Sequence, residues 1–323
     1  MSSILYRQIR QQIDQADHIL LLTDERIDGD TLGSTLGMYH VLLAMGKKLT
    51  VYSPKDLPSM FSFLPGADKI SRDTDIFSDD SIDLVMIFDC SDGEYINERD
   101  MIPAMKRRVP LVSFDHHSTN PRYGQVNLIE EDAASTADVI WRFIKAEKMP
   151  MNKDAAQCIL TGICHDTVAF STGNTTAACL SAAHELSAHG ARLQEIVYHT
   201  MMNKSVETLK LWGLAFERLH YNKEFDAVCT VITRNDIERL KVHGSEARSL
   251  MDFLNVMLDA EDAILILKER EDGSVKGSLR SHTRNVAKLA EKYGGGGHEN
   301  AAGFVIENAH LVEVDGVWNI ESL

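Results

Sequence analysis

Val109-Pro110-Leu111-Val112-Ser113-Phe114-Asp115-His116-His117 is the stretch on which the reading of this chain turns. Its first six residues form an apolar run short enough for a buried strand. The run ends in a carboxylate and two imidazoles. In an open α/β sheet, ligands sit beyond the carboxyl ends of the strands. An Asp-His-His there places one oxygen donor and two nitrogen donors where such a site lies. Alone the triplet says little, because adjacent histidines also cap strands and hydrogen-bond loops. Three other strand ends and a distant glycine run point the same way.

Upstream, His18-Ile19-Leu20-Leu21-Leu22-Thr23 reads as a buried strand behind a short amphipathic helix carrying Ile4, Leu5, Ile9 and Ile13. It leads into Asp24-Glu25-Arg26-Ile27-Asp28-Gly29-Asp30 and a helix over 32–45. Aspartates before a helix cap its free N–H groups, which explains one of the three well and all three poorly. Leu49–Tyr52 is a second strand, and Leu84-Val85-Met86-Ile87-Phe88 a third, ending at Asp89 and turning through Cys90-Ser91-Asp92-Gly93. Downstream come a helix over 133–148 and one over 152–163, the latter running on to Asp166.

Helices over 177–189, 193–202 and 205–221 then lead to a stretch of different texture. Strands are expected over 225–232, 263–267 and 274–281, with short helices over 235–241, 246–254 and 285–293 and a closing strand. The expected organisation is an α/β domain with a parallel sheet over 1–192, a helical linker over 193–221 and a smaller α+β domain over 222–323.

Composition narrows the partners. The chain has 323 residues, 44% hydrophobic and 25% charged, enough for two domains. A net charge of −15 repels long nucleic acid outside a local basic pocket, so a polyanionic substrate should be short or held by metal ions. Five cysteines without a CxxC pair suit a reducing cytosol. No apolar stretch approaches the roughly 18 residues of a membrane span, and the N-terminus lacks a signal-peptide core. The expectation is a cytoplasmic protein that acts away from membranes; a homodimer stays open.

A parallel sheet gathers Asp24, Asp28, Asp30, Asp89, His116 and Asp166 at one edge. Five clustered carboxylates repel one another unless protonated or neutralised by cations. Two divalent ions supply about the right charge. Mixed oxygen and imidazole ligation suits manganese, with iron, cobalt or zinc as alternatives. Two ions roughly 3.5–4 Å apart clamp the attacking and leaving oxygens of an in-line displacement at phosphorus. The run Gly294-Gly295-Gly296-Gly297-His298 can be a flexible linker. It lies inside a domain, however, beside Arg280, and glycines let backbone N–H groups approach an anion. A phosphate grip by Arg280, Gly295, Gly296, Gly297 and His298 is the expectation.

In order along the chain stand Asp28-Gly29-Asp30-x-x-Gly33-Ser34, Phe88-Asp89, Asp115-His116-His117, Thr161-Gly162-x-x-x-Asp166-Thr167, Ser278-Leu279-Arg280-Ser281 and Gly294-Gly295-Gly296-Gly297-His298-x-x-Ala301-Ala302-Gly303-Phe304. This ordered set resembles the DHH/DHHA1 phosphoesterases over nearly the whole chain, most closely their stand-alone nanoRNase/pAp-phosphatase branch. The resemblance implies a Rossmann-like DHH domain holding two Mn²⁺ ions, followed by a DHHA1 domain that binds the nucleotide. One ion would take Asp28, Asp89 and whatever stands at position 24. The other would take Asp30, Asp89, His116 and Asp166, with Asp89 bridging. It further implies that His117 contacts the scissile phosphate and that Asp115 orients His116.

The chain departs from that pattern at one place. The family usually reads His-x-x-Pro-Asp-x-Asp where this chain has Asp24-Glu25-Arg26-Ile27-Asp28-Gly29-Asp30. Asp24 thus stands for an expected histidine ligand. The implied function is Mn²⁺-dependent hydrolysis of short oligoribonucleotides to 5′-mononucleotides and of pAp to AMP. The alternatives are a soluble cyclic-di-AMP or pApA phosphodiesterase, and a nucleotide-binding regulator whose catalysis Asp24 has impaired.

Overall fold

Strand β1, His18–Thr23, is buried at all six positions, and β4, Leu84–Phe88, at all five. Continuous apolar strands of this kind are covered on both faces. Alternate side chains divide accordingly. Ile19 and Leu21 join Met86, Phe88, Val112 and Phe114 in one core, while Leu20 and Leu22 join Val85 and Ile87 in another. In the computed structural model the described residues are 2–91, 109–242, 250–251, 253–254, 263–281, 283–314 and 317–322. The expected turn through Asp92 and Gly93 and most of the expected helix over 246–254 lie outside them.

The chain forms two units, Met1–Met202 and Asn203–Leu323. In the first, β2 (Lys48–Tyr52), β3 (Ile70–Ser71), β5 (Leu111–Asp115) and β6 (Val126–Ile129) complete a parallel sheet in the order β3-β2-β1-β4-β5-β6. The order reverses between β1 and β4. That is the switch point where doubly wound sheets hold ligands, and Asp24 and Asp89 are the residues that leave its two strands.

Helices α1 (Ser2–Gln15), α2 (Gly29–Ala44), α3 (Thr136–Ala146) and α4 (Lys153–Asp166) contribute to the larger core. Helix α2 begins three residues before the expected start, because Asp28 is its N-cap and accepts from the N–H groups of Asp30 and Thr31. Close packing of α2 on α4 depends on Gly33, where a Cβ would lie 2.6 Å from the Cys158 carbonyl oxygen. Helix α4 closes at Asp166, as expected. Helix α5 (Ala177–Ala188) follows, then α6 (Leu193–Val197) and a π-helical turn over Tyr198–Met202.

The second unit opens with α7 (Val206–Glu217), which buries Leu211, Trp212 and Ala215 against Ile232, Ile264 and Ile266. Its expected extension to Tyr221 is replaced by β7 (His220–Asn222), which pairs antiparallel with β8 (Ala227–Ile232). The Asn222 side-chain oxygen accepts from the Glu224 N–H, and Asp226 has φ of 47°, the chemistry of a tight reversal. After α8 (Arg234–Leu240) come β9 (Ile264–Glu269), β10 (Val275–Arg280), the short α9 (Ala287–Glu291), β11 (Gly296–His298) and β12 (Ala301–Ile306). The mixed sheet runs β11-β12-β10-β9-β8-β7. Where one closing strand was expected there are three: β12 and the hairpin β13 (Ala309–Val314) and β14 (Val317–Ser322).

Candidate metal centre

The carboxyl ends of β1, β4 and β5, the start of α2 and the end of α4 bring the acidic and imidazole groups of the first unit together. Asp89 leaves β4 with φ of 58°, a left-handed conformation that aspartate tolerates better than most side chains. Its Oδ2 accepts from the Thr31 hydroxyl at 2.7 Å and its Oδ1 from the Thr136 hydroxyl at 3.0 Å. Asp30 is fully buried and accepts from the first N–H groups of α3, Thr136 at 2.6 Å and Ala137 at 2.9 Å. The positive end of that helix supports its charge.

Asp115 serves His117 more than His116. Its Oδ1 accepts from both backbone N–H groups, at 2.7 Å from His116 and 3.1 Å from His117, and lies 2.7 Å from His117 Nδ1. Its Oδ2 accepts from the Asn120 amide at 2.7 Å. The expected role of Asp115 in orienting the His116 ring is therefore corrected: so short a side chain, bent back on its own turn, reaches the second ring. His116 Nε2 is buried, makes no hydrogen bond among the described residues, and lies 3.3 Å from Asp166 Oδ2 and 4.0 Å from Asp89 Oδ1.

Burial pushes the Asp30 carboxyl well above the usual carboxylate range, reinforced by Asp166 and Asp28. Burial does the same to Asp89, reinforced by Asp30, Asp28 and Asp166. The His116 ring is lowered by burial. Burial alone would lower His117 too, but the bond and charge of Asp115 outweigh it and raise the ring. In Asp115 the same pair wins over burial and lowers the carboxyl.

Among the described residues, three groups offer donor atoms all within 4.8 Å of one another: Asp89, His116 and His117; Asp30, His116 and Asp166; and Asp28, His165 and Asp166. Five of the six expected ligands, Asp28, Asp30, Asp89, His116 and Asp166, thus belong to such groups. Asp24 belongs to none of the three. It is buried, accepts from the Arg26 N–H at 3.0 Å and lies 3.5 Å from the Arg26 guanidinium. Burial raises its carboxyl, partly opposed by Arg26. His165, Thr31 and Thr136 were not singled out from sequence. Thr31 and Thr136 show there only as polar residues at helix starts, and His165 only as a neighbour of Asp166.

A buried imidazole nitrogen facing two carboxylates, with Asp30 and Asp89 driven towards protonation by burial and by the carboxylates around them, fits divalent cations. Oxygen and nitrogen donors in this mixture suit manganese, iron, cobalt or zinc better than calcium or magnesium.

In the second unit, Arg280 ends β10 opposite Ala301, with Nη1 donating to the Leu279 carbonyl at 2.9 Å. The glycine run does not form a loop throughout. Gly296, Gly297 and His298 form β11, paired with Gly303, Ala302 and Ala301. A Cβ on Gly295 would lie 2.1 Å from the Gly303 carbonyl oxygen, and one on Gly297 2.6 Å from that of Ala301. Gly296 is exposed, and a Cβ there would meet nothing within 4 Å.

The DHH family N-terminal domain matches residues 18–163, and the DHHA1 domain matches residues 227–314. The chain is 29% identical over 300 residues to the bifunctional oligoribonuclease and PAP phosphatase NrnA of Thermus thermophilus, covering 91% of this chain and 85% of that one. It is 26% identical over 290 residues to the NrnA of Bacillus subtilis, covering 89% and 88%. Among solved structures, an exopolyphosphatase-related protein from Bacteroides fragilis shares the fold with a TM-score of 0.85 at 22% identity, over 94% of this chain and 91% of its own. With one domain matched in each unit and full-length relatives alongside, the chain belongs to the DHH/DHHA1 phosphoesterases, and it is a hydrolase.

Proposed function

We propose that the chain hydrolyses short oligoribonucleotides to 5′-mononucleotides and pAp to AMP, using two Mn²⁺ ions in its first unit. The observation that carries this reading is the buried His116 Nε2, which faces Asp166 and Asp89 without a hydrogen-bond partner among the described residues. The names of the two NrnA relatives supply the substrate class. Asp28, Asp30, Asp89, His116 and Asp166 would hold the metal. Bound divalent ions lower the pKa of water and offset the charge of a phosphoryl group.

The chain's own residues do the rest. Thr31 and Thr136 fix both oxygens of Asp89, and the start of α3 fixes those of Asp30. Asp115 holds His117 in one orientation and keeps it protonated to higher pH, so the ring can donate to a phosphoryl oxygen. Arg280, Gly295, Gly296, Gly297 and His298 are assigned to the nucleotide's terminal phosphate. The net charge of −15 supports short substrates over long nucleic acid. Among the described residues no helix is long and apolar enough to cross a membrane, and a cytoplasmic location is part of the proposal.

The test is turnover with added Mn²⁺ on pAp, an RNA dinucleotide, pApA, cyclic di-AMP and pyrophosphate in parallel, with Asp89→Ala as the blank. Release of AMP and mononucleotides from pAp and the dinucleotide, absent in the blank, is expected. Preference for cyclic di-AMP would move the assignment to the cyclic-dinucleotide phosphodiesterases. Silence on all five with metal bound would favour a nucleotide-binding regulator.

A further inference from the structure

The departure at position 24 leaves the metal centre one imidazole short of the pattern this chain resembles, and the structure has an imidazole nearby. His165 is the penultimate residue of α4. One of its ring nitrogens, an oxygen of Asp28 and an oxygen of Asp166 lie within 4.8 Å of one another, and its Nδ1 is 3.5 Å from Asp166 Oδ1. Asp166 also belongs to the group with Asp30 and His116. The two groups therefore adjoin through one carboxylate.

The ring is held in place by two neighbours. Phe61, itself buried, meets it edge-on with centroids 5.7 Å apart and planes at 69°. Against it also runs the backbone of Gly29, between Asp28 and Asp30 in the chain. A Cβ on Gly29 would stand 2.5 Å from His165 Cγ and 2.8 Å from Cδ2. Only glycine at 29 lets the imidazole lie there. A side chain confined in this way loses little rotamer freedom when it takes a ligand.

Asp24 is committed elsewhere. Its carboxylate closes a turn onto the Arg26 N–H and lies 3.5 Å from the Arg26 guanidinium, which also donates to Ser91 Oγ at 3.3 Å. An aspartate paired with an arginine is a poor candidate for a cation ligand, because the guanidinium would have to be displaced or left beside the ion.

We propose that His165 is a metal ligand of this protein, binding one divalent ion together with Asp28 and Asp166 in place of the histidine that position 24 lacks. The assignment rests on the two-metal reading above. One imidazole and two carboxylates make a site for Mn²⁺, Fe²⁺ or Zn²⁺.

Mn²⁺ titration of the metal-free full-length chain, with free ion counted by electron paramagnetic resonance, tests it independently of activity. The native chain should take up two ions. His165→Ala should weaken one of them by more than the roughly 10–100-fold that loss of a group merely orienting a ligand costs. His165→Phe keeps an aromatic ring against Phe61 and removes both nitrogens, so the same loss there, with native circular dichroism, excludes misfolding as the cause. Pulsed measurement of nitrogen coupling should show two imidazoles in the native chain and one in His165→Phe. Asp24→Asn, which can still accept from the Arg26 N–H, should retain both ions. If native and His165→Phe chains both bind two ions with equal affinity, or if Asp24→Asn loses one, the assignment of His165 fails while the two-metal reading stands. If the native chain binds fewer than two ions, both fail.

Discussion

The candidate metal centre and the glycine edge are built on opposite principles. In the first unit, the residues at the sheet edge are used for the atoms they carry. Each of Asp28, Asp30, Asp89 and Asp115 accepts at least two hydrogen bonds that aim its oxygens. In the second unit, Gly295 and Gly297 are used for the atoms they lack, since a Cβ at either would collide with the carbonyl oxygens of β12. The difference has a practical meaning for motifs. A conspicuous carboxylate reports chemistry only after its backbone obligations are subtracted. A conspicuous glycine reports a ligand only after close strand packing is subtracted. By that measure packing explains neither Gly294 nor Gly296, both exposed and sterically open; φ of 74° accounts for Gly294, which leaves Gly296.

The largest expected effect lies in the first unit. His116 belongs to two of the three donor groups and makes no hydrogen bond through Nε2 among the described residues. His116→Ala should therefore lower kcat/KM by about 1,000-fold or more, on the order of 4 kcal/mol of transition-state stabilisation, with little change in Tm measured in a chelator. A variant retaining a tenth of native kcat/KM would remove His116 from the metal centre and weaken the contrast between the units.

The glycine edge should respond in the reverse sense, through stability first. Gly295→Ala forces β11 away from β12 and should cost about 1–3 kcal/mol, the usual penalty for overpacking, seen as a lower Tm. Gly296→Ala should leave Tm unchanged, within about 0.5 kcal/mol. If Gly296 approaches the substrate's phosphate, the same substitution should raise KM for pAp about tenfold at constant kcat. An unchanged KM would reduce the whole run to strand packing.

Much of the first unit was legible because its signals are long and redundant. Strands β1 and β4 are dense apolar runs, each followed by an aspartate, and β5 ends in one, and parallel pairing places such ends together. What stayed hidden depends on packing between distant segments. That Asp24 turns onto Arg26 is decided by a two-residue turn that no periodicity reveals. His165 stands in plain view beside Asp166, but the side of α4 on which it meets ligands depends on how closely Gly29 lets α2 approach. In the second unit, β7 is short and has no buried position, and β13 buries only Ala309 and Leu311, so hydrophobicity marks neither strongly. The run Gly296–His298 is a strand only because β12 pairs with it.

The smallest effect separates carboxylates held for a cation from carboxylates held for structure. Burial and like charges place Asp30 and Asp89 well above the ordinary 3.8 in the folded chain. Between that value and the raised one, the native state binds more protons than the unfolded state. Metal-free stability must then fall as pH rises through the window, by up to about 1.4 kcal/mol per pH unit for each group. With Mn²⁺ present the slope should reverse, because the ion binds the ionised carboxylates. Asp89→Asn isolates one contribution. Both of its partners are hydroxyls, Thr31 and Thr136, which can rotate to accept from an amide as well as donate to it, so the substitution removes the charge and leaves the bonding intact. Tm followed in a chelator from pH 5 to pH 8 should fall less steeply for Asp89→Asn than for the native chain, and the variant should be the more stable of the two at pH 8. Parallel curves would mean that Asp89 ionises without penalty in the metal-free fold. The four-carboxylate cluster would then be held together by its hydrogen bonds alone, and the contrast with the glycine edge would lose its electrostatic half.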